Sequence, residues 1–215
     1  MRDPIRDDAV RDHAIQDLVI RDITPPDTTD ITGLLAEAMG EGPVARWLMP
    51  DARVRRESAP AYFEIFAEHA VRYGEVYTSV AAAGGELSGV ALWFPMTAPV
   101  PPPQDYDARL KDAAGAAFDR ARELDAALET HHPMVAHHYL AFLAVHPDRQ
   151  CHGIGSALLN RHHDRLDAAG LPAYLEANDP RNRELYLRHG YRDRGVIRLP
   201  DGGPEIWPMW REPAS

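Results

Sequence analysis

The chain has 215 residues, of which 45% are hydrophobic and 26% charged, a balance typical of a water-soluble domain with a sizeable core. Its net charge of −10 argues against a nucleic-acid binder, which needs a basic face to displace counterions from phosphates. A single cysteine excludes an internal disulfide framework, and no apolar run approaches the roughly 20 residues that span a bilayer. We therefore expect a cytoplasmic protein that binds neither nucleic acid nor membrane.

The first half of the chain predicts strands and helices that alternate behind a charged extension. Residues 1–16 lack the apolar core of a signal peptide, and we expect them to precede a single domain at 17–215. The predicted elements are a strand at 18–21, a helix at 28–39 capped by the turn at 24–27, a helix at 52–72, and a hairpin of 76–82 and 87–94 around Gly84-Gly85.

The second half begins with a proline-rich linker at 95–103. The elements predicted after it are an alanine-rich helix at 108–129, a strand at 138–145, a helix at 153–169, a strand at 172–178, a helix at 183–189, and paired strands at 196–199 and 206–210. The mixture of strands and helices indicates the α/β (α+β) class.

The junction between the strand at 138–145 and the next helix carries the strongest functional signal. The apolar run breaks at His146-Pro147 and continues through the loop Gln150-x-x-Gly153-x-Gly155 into an apolar helix. Glycines let the backbone approach a ligand closely, and a helix N-terminus offers free N–H groups and a positive dipole end to an anion. The junction therefore predicts a site for a pyrophosphate.

This glycine loop resembles the acetyl-CoA signature of the GNAT superfamily of N-acetyltransferases. A second stretch, Asn182-x-x-Leu185-Tyr186-x-x-x-Gly190, is similar to the GNAT motif in which an asparagine holds the pantetheine arm and a tyrosine is the general acid. It departs from the commonest form, which has seven residues between these two, because Tyr186 is only four positions after Asn182. The Pro180-Arg181-Asn182 turn and the Trp207-x-Met209 ending are most similar to the puromycin N-acetyltransferases.

The resemblance implies a GNAT fold, with a mixed, twisted central sheet and helices on both faces, and acetyl-CoA as co-substrate. Backbone groups of the strand would pair with pantetheine, N–H groups of the loop would cradle the pyrophosphate, and Asn182 would hold the pantetheine arm. The implied cofactor-binding residues are Leu143, Ala144, Val145, Gln150, Cys151, His152, Gly153, Ile154, Gly155, Ser156 and Asn182.

Acetyl transfer to an amine also needs an acid for the leaving thiolate and a base for the ammonium. Tyr186 is the predicted acid, because a phenol with a reference pKa of ~10 stays protonated at neutral pH; the alternative is a core tyrosine. Glu176 is the predicted base, acting directly or through water; the alternative is a solvated or ion-paired carboxylate. His138 is the second choice for the base.

The acceptor pocket is predicted to include Trp93, Phe94, His138 and Tyr139 and the helix at 108–129; the strong alternative for Trp93 and Phe94, which end an apolar strand, is a role in the core. No metal is expected, because adjacent histidines diverge on strands and helices alike and no zinc motif accompanies them. The histidine pairs concerned are His131-His132, His137-His138 and His162-His163.

The expected function is transfer of acetyl from acetyl-CoA to a primary amine of a small molecule by direct attack in a ternary complex. An aminonucleoside or other antibiotic is the acceptor that the resemblance suggests, hence a role in antibiotic resistance, in a monomer or homodimer. Two alternatives stay open: acetylation of a protein or peptide amine, and a non-catalytic acyl-CoA sensor. The insertion at 95–133 argues against the first, since it resembles a lid, and Tyr186 argues against the second.

Overall fold

The computed structural model describes residues 18–22, 28–81 and 86–214, which form eight β-strands and seven α-helices. The strands are β1 (Leu18–Asp22), β2 (Glu75–Ala81), β3 (Leu87–Met96), β4 (His137–Val145), β5 (Ala173–Ala177), β6 (Arg192–Asp193), β7 (Ile197–Arg198) and β8 (Glu205–Arg211). The helices are α1 (Thr28–Met39), α2 (Pro43–Leu48), α3 (Ala52–Tyr73), α4 (Tyr106–Ala114), α5 (Phe118–His131), α6 (Ile154–Ala169) and α7 (Pro180–Arg188). The predicted extension at 1–16, the capping turn at 24–27 and the Gly84-Gly85 turn lie outside the described residues.

The strands form one mixed sheet in the order β1-β2-β3-β4-β5-β8-β6, and β7 also pairs with β8. Only β4 and β5 are parallel among these pairs, and they pair over two positions, His138 with Ala173 and Tyr139 with Tyr174. Beyond those two positions β4 continues to Val145 without pairing with β5. The sheet is therefore open between β4 and β5 at one end.

A β-bulge in β4 lies next to this opening. The pairing with β3 steps from Leu92–Phe142 to Trp93–Leu140, so that Ala141 is an extra residue in β4. A bulge bends the strand that carries it and increases its twist, which turns the rest of β4 away from β5.

Helices cover both faces of the sheet, as predicted. On one face Ile31 of α1 and Phe63 of α3 pack against β3 and β4. On the other face Leu158 and Leu166 of α6 pack against Trp93 of β3 and against apolar residues of β2, β4 and β5. A third cluster joins α2, α4 and α5 to β7 and β8. None of the helices in the described part of the chain is long and apolar enough to cross a membrane.

Three helices differ from the prediction for local reasons. The predicted helix at 108–129 is split into α4 and α5 by a 3₁₀ turn at Gly115–Ala117, because Gly115 has φ 52° and ψ −120°, which only glycine adopts readily. Helix α2 was not predicted; it starts at Pro43, whose fixed φ suits the first helical position. Helix α7 starts at Pro180 rather than at 183, because the Asp179 side chain accepts the first free N–H groups.

Candidate active site

A cleft of about 1530 Å³ lies at the opening between β4 and β5. Its walls come from the end of β4, the loop that follows, the start of α6, and residues of α3, α5 and α7. The cleft brings together all eleven residues predicted to bind the cofactor, which are Leu143, Ala144, Val145, Gln150, Cys151, His152, Gly153, Ile154, Gly155, Ser156 and Asn182.

The loop after β4 is built to expose its backbone to the cleft. Gly153 caps α6 with φ 81°, and Cys151 also has a positive φ of 65°. The Gln150 side chain donates to the Val145 carbonyl at 3.3 Å, and the His152 ring bonds the Gln150 carbonyl at 2.7 Å. These contacts hold the loop at the N-terminus of α6, where free N–H groups and the helix dipole favour an anion.

Arg181 adds a positive charge beside this loop. It lies at the start of α7, lines the cleft, and its guanidinium contacts the Cys151 sulfur. The sequence interpretation used this arginine only as part of a turn, although a guanidinium next to a pyrophosphate loop is a common anion partner.

Tyr186 lies on α7 with its side chain facing the cleft. It is 8% exposed, and its ring packs edge-on against Tyr191 at 5.8 Å. Burial raises the pKa of the Tyr186 phenol above its ordinary value, so the hydroxyl is protonated at neutral pH.

Glu176 reaches the same cleft from β5, and its side chain is 6% exposed. Burial raises the pKa of its carboxyl from 4.5 to about 7, while the neighbouring phenols of Tyr139 and Tyr174 act in the opposite direction. Its Oε1 atom has no hydrogen-bond partner among the described residues. The carboxyl therefore takes up and releases a proton near neutral pH.

An aromatic wall forms the part of the cleft nearest the middle of β4. The rings of Phe63 and Phe66 lie 5.7 Å and 5.3 Å from that of Phe142, and His69 stacks on Phe94 at 5.1 Å. This aromatic wall consists of Tyr62, Phe63, Phe66, Phe94 and Phe142. The sequence predicted a helix at 52–72, which is α3, but gave no sign that this helix would line a site.

Helix α5 adds an acidic and apolar surface to the cleft. Leu124, Asp125, Leu128 and Glu129 of this helix line the cleft. Asp125 accepts a hydrogen bond from the Tyr106 hydroxyl at 2.9 Å, and burial raises the pKa of its carboxyl. The cleft thus combines apolar surface with carboxyl groups.

Two predicted acceptor residues lie on the opposite face of the sheet. Trp93 is fully buried and stacks on His162 at 4.0 Å; His138 is 6% exposed, with its Nδ1 3.1 Å from Nε2 of His162. Neighbouring strand residues point to opposite faces, so Phe94 and Tyr139 line the cleft instead. Trp93 and His138 therefore have no place in the acceptor pocket that we propose below, and His138 none as a base.

The described residues contain no group of three or more His, Cys, Asp or Glu side chains placed to hold a metal ion. One histidine that the sequence interpretation considered only as a metal ligand, His132, does line the cleft.

Comparison with known proteins agrees with this architecture. A family model described as an acetyltransferase (GNAT) domain matches residues 115–193. A solved structure from Corynebacterium glutamicum, described as histone acetyltransferase HPA2 and related acetyltransferase, is 30% identical, with a TM-score of 0.70 over 93% of this chain and 98% of that one.

Two more distant structures share the fold. Arylalkylamine N-acetyltransferase 2 from Aedes aegypti is 10% identical, with a TM-score of 0.64 over 91% of this chain and 98% of that one. An agmatine N-acetyltransferase is 16% identical, with a TM-score of 0.59 over 91% of this chain and 99% of that one.

Proposed function

The chain belongs to the GNAT superfamily of acetyltransferases and is an acyltransferase, and from this premise we propose that it acetylates a primary amine of a small molecule. The acetyl group comes from acetyl-CoA, the co-substrate of GNAT domains, by direct attack in a ternary complex. The observation that carries the proposal is that one cleft joins the glycine loop, Tyr186 and Glu176.

The opening between β4 and β5 supports the assignment of the cofactor-binding residues. On its β5 side, β4 is unpaired beyond Tyr139, so its backbone groups there, apart from the Val145 carbonyl that accepts from Gln150, would bond the amides of pantetheine as an added strand would. The free N–H groups of 151–156, with Arg181, would hold the pyrophosphate. An N–H group of β4 near the thioester oxygen would stabilise the negative charge that develops there.

The two titratable groups would divide the proton transfers between them. Glu176 takes a proton from the bound ammonium, and the neutral nitrogen attacks the thioester carbon. The carbon–sulfur bond breaks, and Tyr186 donates its proton to the CoA thiolate. The nitrogen loses a second proton, which returns the tyrosine to its neutral form, so amide and CoA thiol are the products.

The lining of the cleft favours an amine carried on an apolar or aromatic body. The aromatic wall offers ring surfaces for such a body, and Asp125 and Glu176 offer carboxyl groups to the ammonium. An aminonucleoside or similar antibiotic with an aromatic group fits this description, in keeping with the resemblance to puromycin N-acetyltransferases noted from the sequence.

A peptide amine is the second candidate acceptor. The description of the 30% identical relative names a histone acetyltransferase, which acts on a peptide amine. Four residues of α5 line the cleft, however, and this additional wall favours a small acceptor over an extended peptide.

The test is release of CoA thiol from acetyl-CoA with a panel of amines: 2-phenylethylamine, puromycin, spermidine and a lysine-containing histone-tail peptide. We expect the aromatic amines to give the highest kcat/KM. Turnover with the peptide alone would support the second candidate and contradict the first.

Tyr186→Phe separates a transferase from an acyl-CoA sensor. We expect kcat to fall by ~10²-fold, while acetyl-CoA affinity stays within a few-fold, because the phenol is needed only for proton donation. Full activity in Tyr186→Phe would exclude the acid role, and silence of the unmodified protein across the panel, with acetyl-CoA still bound, would favour the sensor.

A further inference from the structure

Three buried polar atoms without hydrogen-bond partners belong to the proposed base and to two histidines whose rings pack together. Nε2 of His132, Nε2 of His137 and Oε1 of Glu176 make no hydrogen bond among the described residues. Buried polar side-chain atoms are nearly always hydrogen-bonded, so such a group needs a physical explanation. Nδ1 of His132, the other nitrogen of that ring, lies 4.0 Å from the Oε1 atom of Glu176.

His132 is held in this place from both sides. Its backbone N–H donates to the Glu129 carbonyl and ends α5. Its ring packs against the rings of His137, Tyr139 and Tyr174, at 5.0, 4.9 and 5.2 Å. Tyr139 and Tyr174 are the same phenols that act on the Glu176 carboxyl. The ring is therefore fixed beside Glu176 by the end of α5 and by its aromatic neighbours.

The protonation of the ring follows from its neighbours. Burial, together with His137, lowers the pKa of His132 to about 4, so the ring is neutral at physiological pH. His137 contacts the Val135 carbonyl through Nδ1 at 2.7 Å, which assigns its proton to Nδ1. A neutral imidazole has one N–H group, and placing it on Nδ1 of His132 directs it at the Glu176 carboxyl.

We propose that His132 is a positioning residue for Glu176: its Nδ1–H closes onto Oε1 when the carboxyl ionises and holds the carboxylate ready for the ammonium. This inference rests on the proposed function. Closing the gap from 4.0 Å to hydrogen-bond distance needs a displacement of about 1 Å. A donor that bonds only the carboxylate favours ionisation and lowers the pKa of Glu176.

Four titratable groups lie around Glu176 in the described part of the chain. They are His132 at the end of α5, Tyr139 on β4 and Tyr174 on β5, with His137 on β4 packed behind His132. The two phenols are held protonated by burial, since their pKa values are raised, and the two histidines are neutral because burial lowers theirs. Near neutral pH, Glu176 is therefore the group in this cluster that titrates.

The test compares two replacements of His132 that differ in one N–H group. Phenylalanine keeps the ring among its aromatic neighbours but removes the donor, whereas asparagine places an amide N–H close to the position of Nδ1. We expect the acid limb of the pH profile of kcat/KM to move up by about one pH unit in His132→Phe, because the carboxylate loses its donor. In His132→Asn the acid limb should lie within a few tenths of a pH unit of its position in the unmodified protein.

His131→Phe is the matched control, because His131 is exposed and its Nδ1 contacts the Ala127 carbonyl of its own helix. An unchanged limb in a folded His132→Phe would overturn the inference. A downward shift would also overturn it, since it would mean that the protonated carboxyl donates to the ring. A His132→Asn profile that follows that of His132→Phe would do the same.

A titration without turnover keeps this test separate from the proposed function. The Glu176 carboxyl carbon is followed by ¹³C NMR in protein labelled at glutamate, with Glu176→Gln to assign the signal. We expect the pH midpoint of this carbon's titration to be about one unit higher in His132→Phe than in the unmodified protein. An unchanged midpoint would contradict the inference, even if every amine in the panel proves inactive. If His132→Phe does not fold, His132→Gln replaces it, because its amide N–H lies closer to the position of Nε2.

Discussion

The buried surroundings of the Glu176 carboxyl disfavour its ionised form. Its side chain is 6% exposed, and burial raises its pKa from 4.5 to about 7. The unfolded chain would ionise this group near pH 4.5, so in the folded state the ionised form carries an energetic cost above that pH. The raised pKa that suits Glu176 to take a proton from an ammonium therefore lowers the stability of the fold.

Glu176→Gln should accordingly reduce activity and increase stability. The folded pKa is above the unfolded one, so the contribution of Glu176 to stability is fully present below about pH 4.5 and is lost as the pH rises through about 7. A difference of about 2.5 units corresponds to about 3 kcal/mol. Urea denaturation should show Glu176→Gln more stable than the unmodified protein at pH 8 by an amount of this order, with the difference shrinking towards pH 5.

The control for this prediction is Glu184→Gln, which changes an exposed glutamate on α7 in the same way. It should leave the dependence of stability on pH as it is in the unmodified protein. A stability difference for Glu176→Gln that stays constant between pH 5 and pH 8 would show that the carboxyl is not perturbed in the folded state.

At the scale of the element, α6 has the same backbone conformation at its two ends and a different environment at each. Gly153 precedes the helix with φ 81°, and Gly170 follows it with φ 65°. Both are in the left-handed region, which a branched side chain enters only with strain. Gly153 lines the cleft, whereas a Cβ atom at Gly170 would meet open space.

Gly153→Val and Gly170→Val therefore separate backbone strain from cofactor binding. Both should destabilise the fold by roughly 1–2 kcal/mol, since the strain of a left-handed valine is similar at the two ends. Only Gly153→Val should lose acetyl-CoA affinity, measured by isothermal titration calorimetry, because its side chain occupies the place proposed for the pyrophosphate. Equal affinity in the two folded variants would contradict the assignment of the loop.

At the scale of the whole molecule, the sheet consists of two parts that are joined by the short pairing between β4 and β5. Strands β1 to β4 are antiparallel neighbours, as are β5, β8 and β6, and the two groups meet through the two pairs between β4 and β5. A ligand that bonds the free edge of β4 next to β5 would contact both parts of the sheet. Its binding energy would then add to the stability of the entire fold.

Acetyl-CoA should raise the melting temperature of the protein. At a concentration of 100 times Kd, a ligand that binds only the folded state adds about 2.7 kcal/mol to the free energy of unfolding. Calorimetric melting measures the shift, and hydrogen exchange should show new protection in 140–145 and 151–156. An equal shift in Gly153→Val, or protection confined to other segments, would place the ligand elsewhere.

The sequence alone was sufficient where local physical chemistry decides the outcome. The helix predicted at 28–39 coincides with α1, and the loop Gln150-x-x-Gly153-x-Gly155 was predicted to start a helix, as it does at α6. Helix periodicity and the left-handed freedom of glycine act within a few residues of one another. The same local signals carried the resemblance that predicted the family and the mixed sheet.

The tertiary structure alone decided which side chains face the cleft and which distant segments meet there. Trp93 and Phe94 are neighbours on β3, yet only Phe94 lines the cleft, because adjacent strand residues point to opposite faces and the pairing register sets which face is which. Helix α3 supplies three of the five residues of the aromatic wall, and the end of α5 places His132 4.0 Å from Glu176 on β5. These contacts join residues far apart in the sequence, and they depend on how helices pack on a finished sheet, which no local pattern encodes.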